Sequence, residues 1–215
     1  MRLGIMGGTF DPIHYGHLFI AEEARVLHQL DQVLFLPSGQ PPHKRDTEIT
    51  EAHHRLEMAR IGVRSNPNFA CSSIETERPG YSYTVDTLET IQIRFPNAEL
   101  NYITGTDAIA DFMTWKHPEK VIRMAIFLAA TRPGFDIEIL RKRLPEETLS
   151  RIQLMETQAP DISSSVIRER LKANAPVRYL LPDEVLEYIQ SNRLYRAATE
   201  EALAPNQKGT EIERK

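Results

Sequence analysis

The chain of 215 residues is poor in the features that mark several classes of protein. Its one cysteine, Cys71, excludes an intrachain disulfide and argues against a cysteine-based metal site. No stretch approaches the roughly 18 apolar residues of a membrane span. The apolar residues before the first glycines are too few for a signal peptide. These absences predict a protein of the cytoplasm with no membrane partner.

An excess of positive charge is also missing. The 26 Lys and Arg residues are outnumbered by 30 Asp and Glu residues, which gives a net charge of −4 and argues against nucleic acid as the main partner. The hydrophobic content of 41% is typical of a globular protein with a substantial core. We expect a single domain over residues 1–196 and a disordered tail over 197–215, where charges are frequent and no apolar period is present.

Short apolar runs alternate with segments of helical period along most of the chain. Strands are predicted at residues 3–6, 33–36, 69–74, 100–104, 125–130 and 151–155. Right-handed crossovers would place the first two strands side by side. The pattern predicts an α/β fold with a Rossmann-like, doubly wound parallel sheet and a small helical C-terminal part at about 162–196.

The helical pattern also gives specific expectations about helix faces and ends. In the helix predicted from Leu18 to Leu30, the inward residues would be Ile20, Ala24 and Leu27. Thr50 and Thr84 are placed as N-caps of the second and third helices. Residues 136–149 are predicted to form one charged amphipathic helix.

The most distinctive stretch is residues 4–18, GIMGGTFDPIHYGHL. A strand leads into Gly7 and Gly8, where the missing Cβ atoms let a ligand approach the backbone, and a helix begins near Gly16. His14 and His17 are three residues apart, so both rings can face one anion at the helix N-terminus. We interpret the stretch as a triphosphate cradle with a positive field. The alternative is an ordinary turn followed by two structural histidines.

Two further segments contain candidate phosphate ligands. In the loop after the second strand, Pro41 and Pro42 restrict the chain before Lys44, which lies at the sheet edge where ligands bind in α/β folds. Later, serines open a helix at residues 162–165, and Arg168 follows one turn inside it. The alternatives are a polar surface loop and a capped helix with an incidental arginine.

A second substrate is suggested by three weaker signals. The helix N-terminus at Thr84 offers amides to an anion the size of a carboxylate. Gly105 and Asp107 follow the fourth strand, where a carboxylate can bond to sugar hydroxyls. Trp115 can stack on a flat heterocycle, although a lone tryptophan is more often part of the core.

Taken in order, these motifs resemble a known family. Three segments resemble motifs of the nucleotidyltransferases with an HxGH signature. They are Gly7-Gly8-Thr9-Phe10-Asp11-Pro12, His14-x-Gly16-His17 and Ile162-Ser163-Ser164-Ser165-x-Ile167-Arg168. The Pro42-His43-Lys44, Tyr83-Thr84, Gly105-x-Asp107, Trp115 and Arg132-Pro133-Gly134 segments narrow the resemblance to the bacterial nicotinate mononucleotide adenylyltransferases, from residue 4 to about Tyr195. Ser165 departs from the threonine usual in the family but keeps the hydroxyl.

The resemblance implies ATP and nicotinate mononucleotide as substrates, with Mg²⁺ bound mainly through the ATP phosphates and no metal-ligating side chains. It implies catalytic roles for His14, His17, Lys44 and Arg168. The ATP-binding residues it implies are Gly7, Gly8, Thr9, Phe10, Gly105, Asp107, Arg132, Ile162, Ser163 and Ser164. The implied mononucleotide-binding residues are Tyr83, Thr84 and Trp115.

For such a reaction we expect in-line attack of the mononucleotide phosphate on the α-phosphorus of ATP, with neither a general base nor a covalent intermediate. The rivals are a related transferase, such as a phosphopantetheine adenylyltransferase, and a non-catalytic module that senses nucleotides. The sequence leaves the oligomeric state open, with a homo-oligomer among the alternatives.

Overall fold

The computed structural model of the chain describes residues 1–42, 49–131 and 134–196. Within these ranges one sheet contains six strands, all paired in parallel, in the order β3-β2-β1-β4-β5-β6. The strands are β1 (Arg2–Gly8), β2 (Gln32–Pro37), β3 (Phe69–Cys71), β4 (Glu99–Gly105), β5 (Ile126–Thr131) and β6 (Ile152–Glu156). The predicted Rossmann-like fold is confirmed, with β1 beside β2. The strand order reverses between β1 and β4, which in such sheets is where ligands bind.

Helices connect the strands and cover the sheet. Those of the described residues are α1 (Tyr15–Leu27), α2 (Ala52–Val63), α3 (Thr84–Arg94), α4 (Thr106–Ala110), α5 (Pro118–Met124), α6 (Glu138–Arg141), α7 (Glu146–Leu149), α8 (Ser164–Lys172) and α9 (Asp183–Ser191). A 3₁₀ turn lies at Phe112–Thr114. In the part of the chain that the structure describes, no helix is long and apolar enough to cross a membrane.

The central strands are apolar on both faces because each face packs on helices. In β2, Val33 and Phe35 belong to a core shared with α1, α2, α8 and α9. Leu34 and Leu36 point the other way, into a core shared with α3, α4, α5 and α6. Successive residues of a strand face opposite sides, so a continuous apolar run serves two cores. The helices therefore lie on both sides of the sheet, as a doubly wound fold requires.

The predicted inward face of α1 is wrong in one position. Leu27 is 57% exposed, whereas Ala21 and Ala24 are fully buried. Small side chains on the buried face let the helix approach the sheet closely. The helical period that correctly includes Ala24 also includes Leu27, whereas the fully buried positions of the helix are occupied by small residues.

Other predicted helix features also differ from the structure. The single helix expected over 136–149 is two short ones, α6 and α7, because Pro145 stands directly before α7 and disfavours a helical conformation at the preceding residue. The N-caps of α2 and α3 are Glu51 and Tyr83 rather than Thr50 and Thr84, and neither side chain accepts a hydrogen bond from its helix.

Candidate active site

The two histidines of the first motif meet at the N-terminus of α1. His14 is the N-cap residue and is 5% exposed. The rings of His14 and His17 are stacked, with centroids 3.7 Å apart and an interplanar angle of 22°. The His14 backbone N–H donates to His17 Nδ1 at 3.3 Å. A ring nitrogen that accepts carries no proton, so this arrangement places the proton of the neutral His17 ring on Nε2.

Burial changes the expected charge of His14. It lowers the pKa of the imidazole from 6.5 to about 4, so this ring is neutral at pH 7. The positive field expected of this stretch therefore does not come from His14 in the free protein. Its Nδ1 atom is buried and has no hydrogen-bond partner among the described residues. Buried polar atoms of this kind call for an explanation, and a ligand or water that is bound there supplies one.

Glycine is needed at two positions of this motif for close packing. A Cβ atom on Gly16 would lie 3.0 Å from His14 Nδ1, so the His14 ring can stack here only over a glycine. At Gly7 the place of a Cβ is filled by the Tyr102 hydroxyl. On that side the expectation of direct ligand approach is wrong, because the missing side chain makes room for the protein's own tyrosine. Gly8 makes room for the Phe10 ring in the same way.

The side chain of Phe10 lies in the core, where it is 1% exposed and packs edge-on against His17 at 5.0 Å between ring centroids. Phe10 can therefore reach a nucleotide only through its backbone. The first amide of α1 is also engaged, because Tyr15 N–H donates to the Leu180 carbonyl at 3.0 Å. The side chains of the motif thus provide more hydrogen-bonding groups for a ligand than the backbone amides that were predicted to be free.

The serine-arginine motif packs directly against the histidine motif. Arg168 Nη1 donates to the Asp11 carbonyl at 2.6 Å, and Ser164 Oγ donates to the Pro12 carbonyl at 2.9 Å. Ser163 caps α8 by accepting from the Val166 N–H at 3.3 Å, as the sequence predicts. The structure therefore brings Arg168 and the residues before His14 together, although about 150 residues separate them along the chain.

The carboxylate of Asp11 lies at the centre of this junction. Asp11 is 3% exposed, and its Oδ1 accepts from the Tyr195 hydroxyl at 2.6 Å. Its Oδ2 accepts from Thr50 N–H at 3.4 Å and lies 3.9 Å from Arg168 Nη1. Asp11 belongs to the predicted motif, but the sequence predicts no role for it. No sequence pattern indicates that Asp11 contacts Tyr195.

A buried arginine was missed altogether. Arg55 is 1% exposed, and the α2 pattern gave no sign that a charged side chain points inward. Its guanidinium donates to four backbone carbonyls at 2.6–2.8 Å. The acceptors are Thr9, Ser38, Gly39 and Thr50. Arg55 thereby joins the loop after β1 to the loop after β2. The name phosphate rim is used below for five residues of this junction, namely Asp11, His14, His17, Arg55 and Arg168.

Other predicted ATP ligands lie near the same sheet edge. Gly105 ends β4, and Asp107 is exposed in the first turn of α4. Since β4 pairs with β1 in parallel, both strands end on the side of the phosphate rim. Ile162 directly precedes the cap of α8, and its carbonyl lies 3.5 Å from the Cβ position of Gly16. Lys44, Arg132 and the tail 197–215 lie outside the described residues.

The three residues predicted to bind the mononucleotide come together around Tyr102. The Tyr102 hydroxyl bonds to the Thr84 side chain, and its ring meets Trp115 edge-on at 6.0 Å between centroids. Lys116 Nζ lies 4.3 Å from the centre of the Tyr83 ring. These five residues are called the acceptor cluster below.

Trp115 has a dual environment. The indole ring packs against Phe112 and Phe127, with centroid distances of 5.2 and 6.2 Å, and the residue is half-buried. The core interpretation of Trp115 is thus correct for part of the ring. The part that remains exposed can contact a ligand.

A cavity among the described residues lies apart from this site. It has a volume of about 880 Å³ and lies between α8 and α9, where Leu171, Val177 and Ile189 contribute to its wall. None of the predicted site residues that the structure describes lines it. The phosphate rim lies elsewhere, beyond the carboxyl end of β1, and combines the buried Asp11, His14 and Arg55 with the partly exposed His17 and Arg168.

The topology and the rim together define a nucleotide-binding α/β protein. The family model described as Cytidylyltransferase-like matches residues 5–170. A protein of Moorella thermoacetica named "Probable nicotinate-nucleotide adenylyltransferase" is 50% identical over 199 residues, which cover 91% of this chain and 92% of that protein. A relative of the same name from Desulfitobacterium hafniense is 46% identical, with 91% and 96% covered.

A solved structure has the same fold. The nicotinic acid mononucleotide adenylyltransferase of Plasmodium falciparum, complexed with NaAD, superposes with a TM-score of 0.72 at 23% identity and covers 90% of this chain and 97% of its own. At that level of identity the likeness concerns the fold. Because of the family model and the closer relatives, the chain belongs to the cytidylyltransferase-like family and, within it, to the nicotinate-nucleotide adenylyltransferases.

Proposed function

We propose that this protein transfers the adenylyl group of ATP to nicotinate mononucleotide, forming nicotinate adenine dinucleotide and pyrophosphate in NAD biosynthesis. The observation that carries the proposal is the contact between Arg168 and the backbone of Asp11, which joins the two phosphate-binding motifs. The names of relatives at 41–50% identity support the choice of substrates. We further propose that residues 1–196 act as one domain, in the cytoplasm.

The reaction needs alignment and charge stabilisation more than proton transfer. The phosphate oxygen of the mononucleotide is already an anion, so it can attack the α-phosphorus of ATP directly. A new P–O bond forms as the bond to the β-phosphate oxygen breaks, and pyrophosphate leaves with the electron pair. The protein's part is to hold both substrates in line and to stabilise the negative charge that builds up on the phosphates.

The phosphate rim offers donors of two kinds for that purpose. Burial keeps His14 uncharged, so its imidazole can donate an N–H group without placing a second cation beside the stacked His17 ring. Arg168 supplies a fixed positive charge and a planar fork that matches phosphate oxygens. Donors held rigidly before the reaction begins are the most effective at stabilising developing charge. Lys44 and Arg132 stay predictions for the same phosphates.

The donor set fits a magnesium ion bound through the nucleotide. Among the described residues, no group of three or more His, Cys, Asp or Glu side chains could hold a metal ion. The rim consists mainly of nitrogen donors, and the Asp11 carboxylate is engaged by Tyr195 and Thr50. Mg²⁺ prefers oxygen ligands and commonly binds to substrate phosphates. When bound there, it would neutralise part of the triphosphate charge.

The acceptor cluster suits a pyridine mononucleotide. The α3 N-terminus at Thr84 presents amides to a carboxylate, and the aromatic rings of Tyr83 and Trp115 offer surfaces for a flat heterocycle. A carboxylate at this helix end distinguishes nicotinate from nicotinamide by charge, so we expect nicotinate mononucleotide to be the better acceptor.

The test is acceptor-dependent release of pyrophosphate. The protein is incubated with ATP and Mg²⁺ together with nicotinate mononucleotide, nicotinamide mononucleotide, phosphopantetheine or no acceptor. We expect release with the pyridine mononucleotides, fastest with the nicotinate form, and none without an acceptor. Release with phosphopantetheine alone would identify the related transferase. ATP binding without release for any acceptor would identify a nucleotide-sensing module.

A further inference from the structure

We propose that Asp11 and Tyr195 are positioning residues that hold the Arg168 guanidinium in the orientation required by the ATP phosphates. This inference rests on the proposed function, because it assigns a purpose to the fixed orientation of Arg168. It adds to the site a residue from the segment after α9, far from both phosphate-binding motifs in the sequence.

Asp11 touches Arg168 in two ways. The Asp11 carbonyl accepts from Nη1 at 2.6 Å, and the carboxylate Oδ2 lies 3.9 Å from the same nitrogen. The first contact is a short hydrogen bond, whereas the second is a long ion pair. Arg168 is therefore anchored at Nη1 without being closed into a two-point pair with the carboxylate. Among the described residues, its Nη2 reaches only the Ser165 hydroxyl, at 3.4 Å.

Tyr195 fixes the carboxylate in that position. Its hydroxyl donates to Oδ1 at 2.6 Å, while Thr50 N–H holds Oδ2 from the other side. Burial, together with the neighbouring Asp11 carboxylate, raises the pKa of the Tyr195 phenol above its ordinary value. The phenol thus keeps its proton near neutral pH and remains a donor.

The loss of this hydrogen bond has a definite electrostatic consequence. A carboxylate freed at Oδ1 can rotate and form a bidentate pair with the Arg168 fork, which is a favoured geometry for these two groups. Such a pair would compete with the phosphates for the same N–H groups. The Tyr195 hydroxyl therefore keeps the arginine available at the moment when charge develops on the phosphates.

The first experiment is the variant Tyr195→Phe, which removes the hydroxyl and keeps the ring. We expect a fall in kcat of about tenfold, with the KM for ATP changed by less than about threefold, because the other ATP contacts remain. Tyr188→Phe is the matched control. It removes a hydroxyl from α9 that bonds to His54 Nδ1 at 2.9 Å and not to Asp11, and its kcat should equal that of the unmodified protein.

A double-mutant cycle with Arg168→Ala separates positioning from general packing. If Tyr195 acts through Arg168, Tyr195→Phe has no further effect on kcat in the Arg168→Ala background. A tenfold loss that persists in that background would overturn the proposal, as would an unchanged kcat in the single variant. If Arg168→Ala itself retains full turnover, the proposed phosphate role of Arg168 fails instead.

A crystal structure of Tyr195→Phe tests the geometry without any reference to activity. We expect the Asp11 carboxylate to turn towards Arg168 and shorten the present 3.9 Å separation to hydrogen-bond length. An unchanged carboxylate would overturn the proposal. Should Tyr195→Phe fail to fold, Asp11→Asn keeps an acceptor for Tyr195 and removes the ion pair at 3.9 Å from Arg168 Nη1, which is one of the two Asp11 contacts that orient the guanidinium. Its expected loss of kcat must again vanish in the Arg168→Ala background.

Discussion

The phosphate rim and the acceptor cluster are built in different ways. In the rim, buried and partly buried arginines donate to backbone carbonyls across long separations in sequence, such as the 157 residues between Arg168 and Asp11. In the acceptor cluster, aromatic edges meet one another, and Lys116 pairs with Asp86 at 3.1 Å with both side chains more than a third exposed. The rim is fixed by directional bonds, whereas the cluster is held by contacts that tolerate small shifts.

This difference matches the two tasks that we propose for the site. Stabilising charge in a transition state requires donors that are in place before the charge appears. Binding a flat ring requires surface and approximate position, since stacked and edge-on arrangements are both favourable. We therefore expect substitutions in the rim to cost more stability and more turnover than substitutions in the acceptor cluster.

The largest effect is expected for Arg55→Leu. The substitution leaves four carbonyl oxygens without their donor, among them the buried one of Ser38 and the partly buried one of Thr9. We expect the free energy of unfolding to fall by about 3–5 kcal/mol. Urea denaturation measures the change.

Arg60→Leu is the control for Arg55→Leu, because Arg60 lies on the same helix and is paired only at the surface with Glu57. Its expected cost is below about 1 kcal/mol. Equal costs for the two variants would show that the carbonyl contacts of Arg55 do not hold the two loops together.

The next effect concerns pH and His14. The native pKa of about 4 lies below the ordinary value of 6.5, so the unfolded chain binds a proton at His14 before the folded one does. This contribution to stability is complete above pH 6.5 and is lost as the pH falls towards 4. The loss is on the order of 3 kcal/mol, measured from unfolding curves between pH 4 and 7.

The His14→Gln variant isolates that contribution, since glutamine cannot titrate. The difference between the two stability curves should slope between pH 4 and 6.5 and be flat above pH 6.5. A difference that is flat throughout would mean that the pKa of His14 is the same in the folded and unfolded protein, and the account of an imidazole kept neutral by burial would be wrong.

The smallest effect is expected in the acceptor cluster, for Lys116→Ala. An exposed cation over a ring, together with a surface ion pair, contributes about 1 kcal/mol or less. We expect a similarly small change in stability and a rise of a few-fold in the KM for nicotinate mononucleotide. Lys120→Ala is the control. Lys120 pairs at the surface with Glu89, which lies on α3 one turn after Asp86, the partner of Lys116. An equally large rise in KM for Lys120→Ala would show that Lys116 has no specific role in binding nicotinate mononucleotide.

Much of the fold followed from local pattern. All six strands were predicted near their observed places because a buried parallel strand is a short apolar run between turns. The glycine, histidine and serine motifs were predicted at strand and helix ends, where they lie. The errors came where local pattern is silent, as at α1, where small residues rather than Leu27 face the sheet.

The unpredicted part of the site depends on long-range packing. Arg55 occupies a helical position like that of any surface arginine, and only the folded chain places four carbonyls around it. Tyr195 and Asp11 are 184 residues apart. The charge of His14 depends on its burial, which no neighbouring residue in the sequence reveals. The residue types in the sequence predicted where the rim lies. The charge of His14 and the hydrogen bonds of the rim depend on tertiary contacts.

The most direct test of the account is the turnover of His17→Ala with ATP, Mg²⁺ and nicotinate mononucleotide at saturating concentrations. Removal of one preorganised donor to the developing charge should lower the rate of pyrophosphate formation by about 10²–10³ in the fraction of the variant that is folded. A variant that keeps near-normal turnover would contradict the claim that the stacked histidines act on the ATP phosphates.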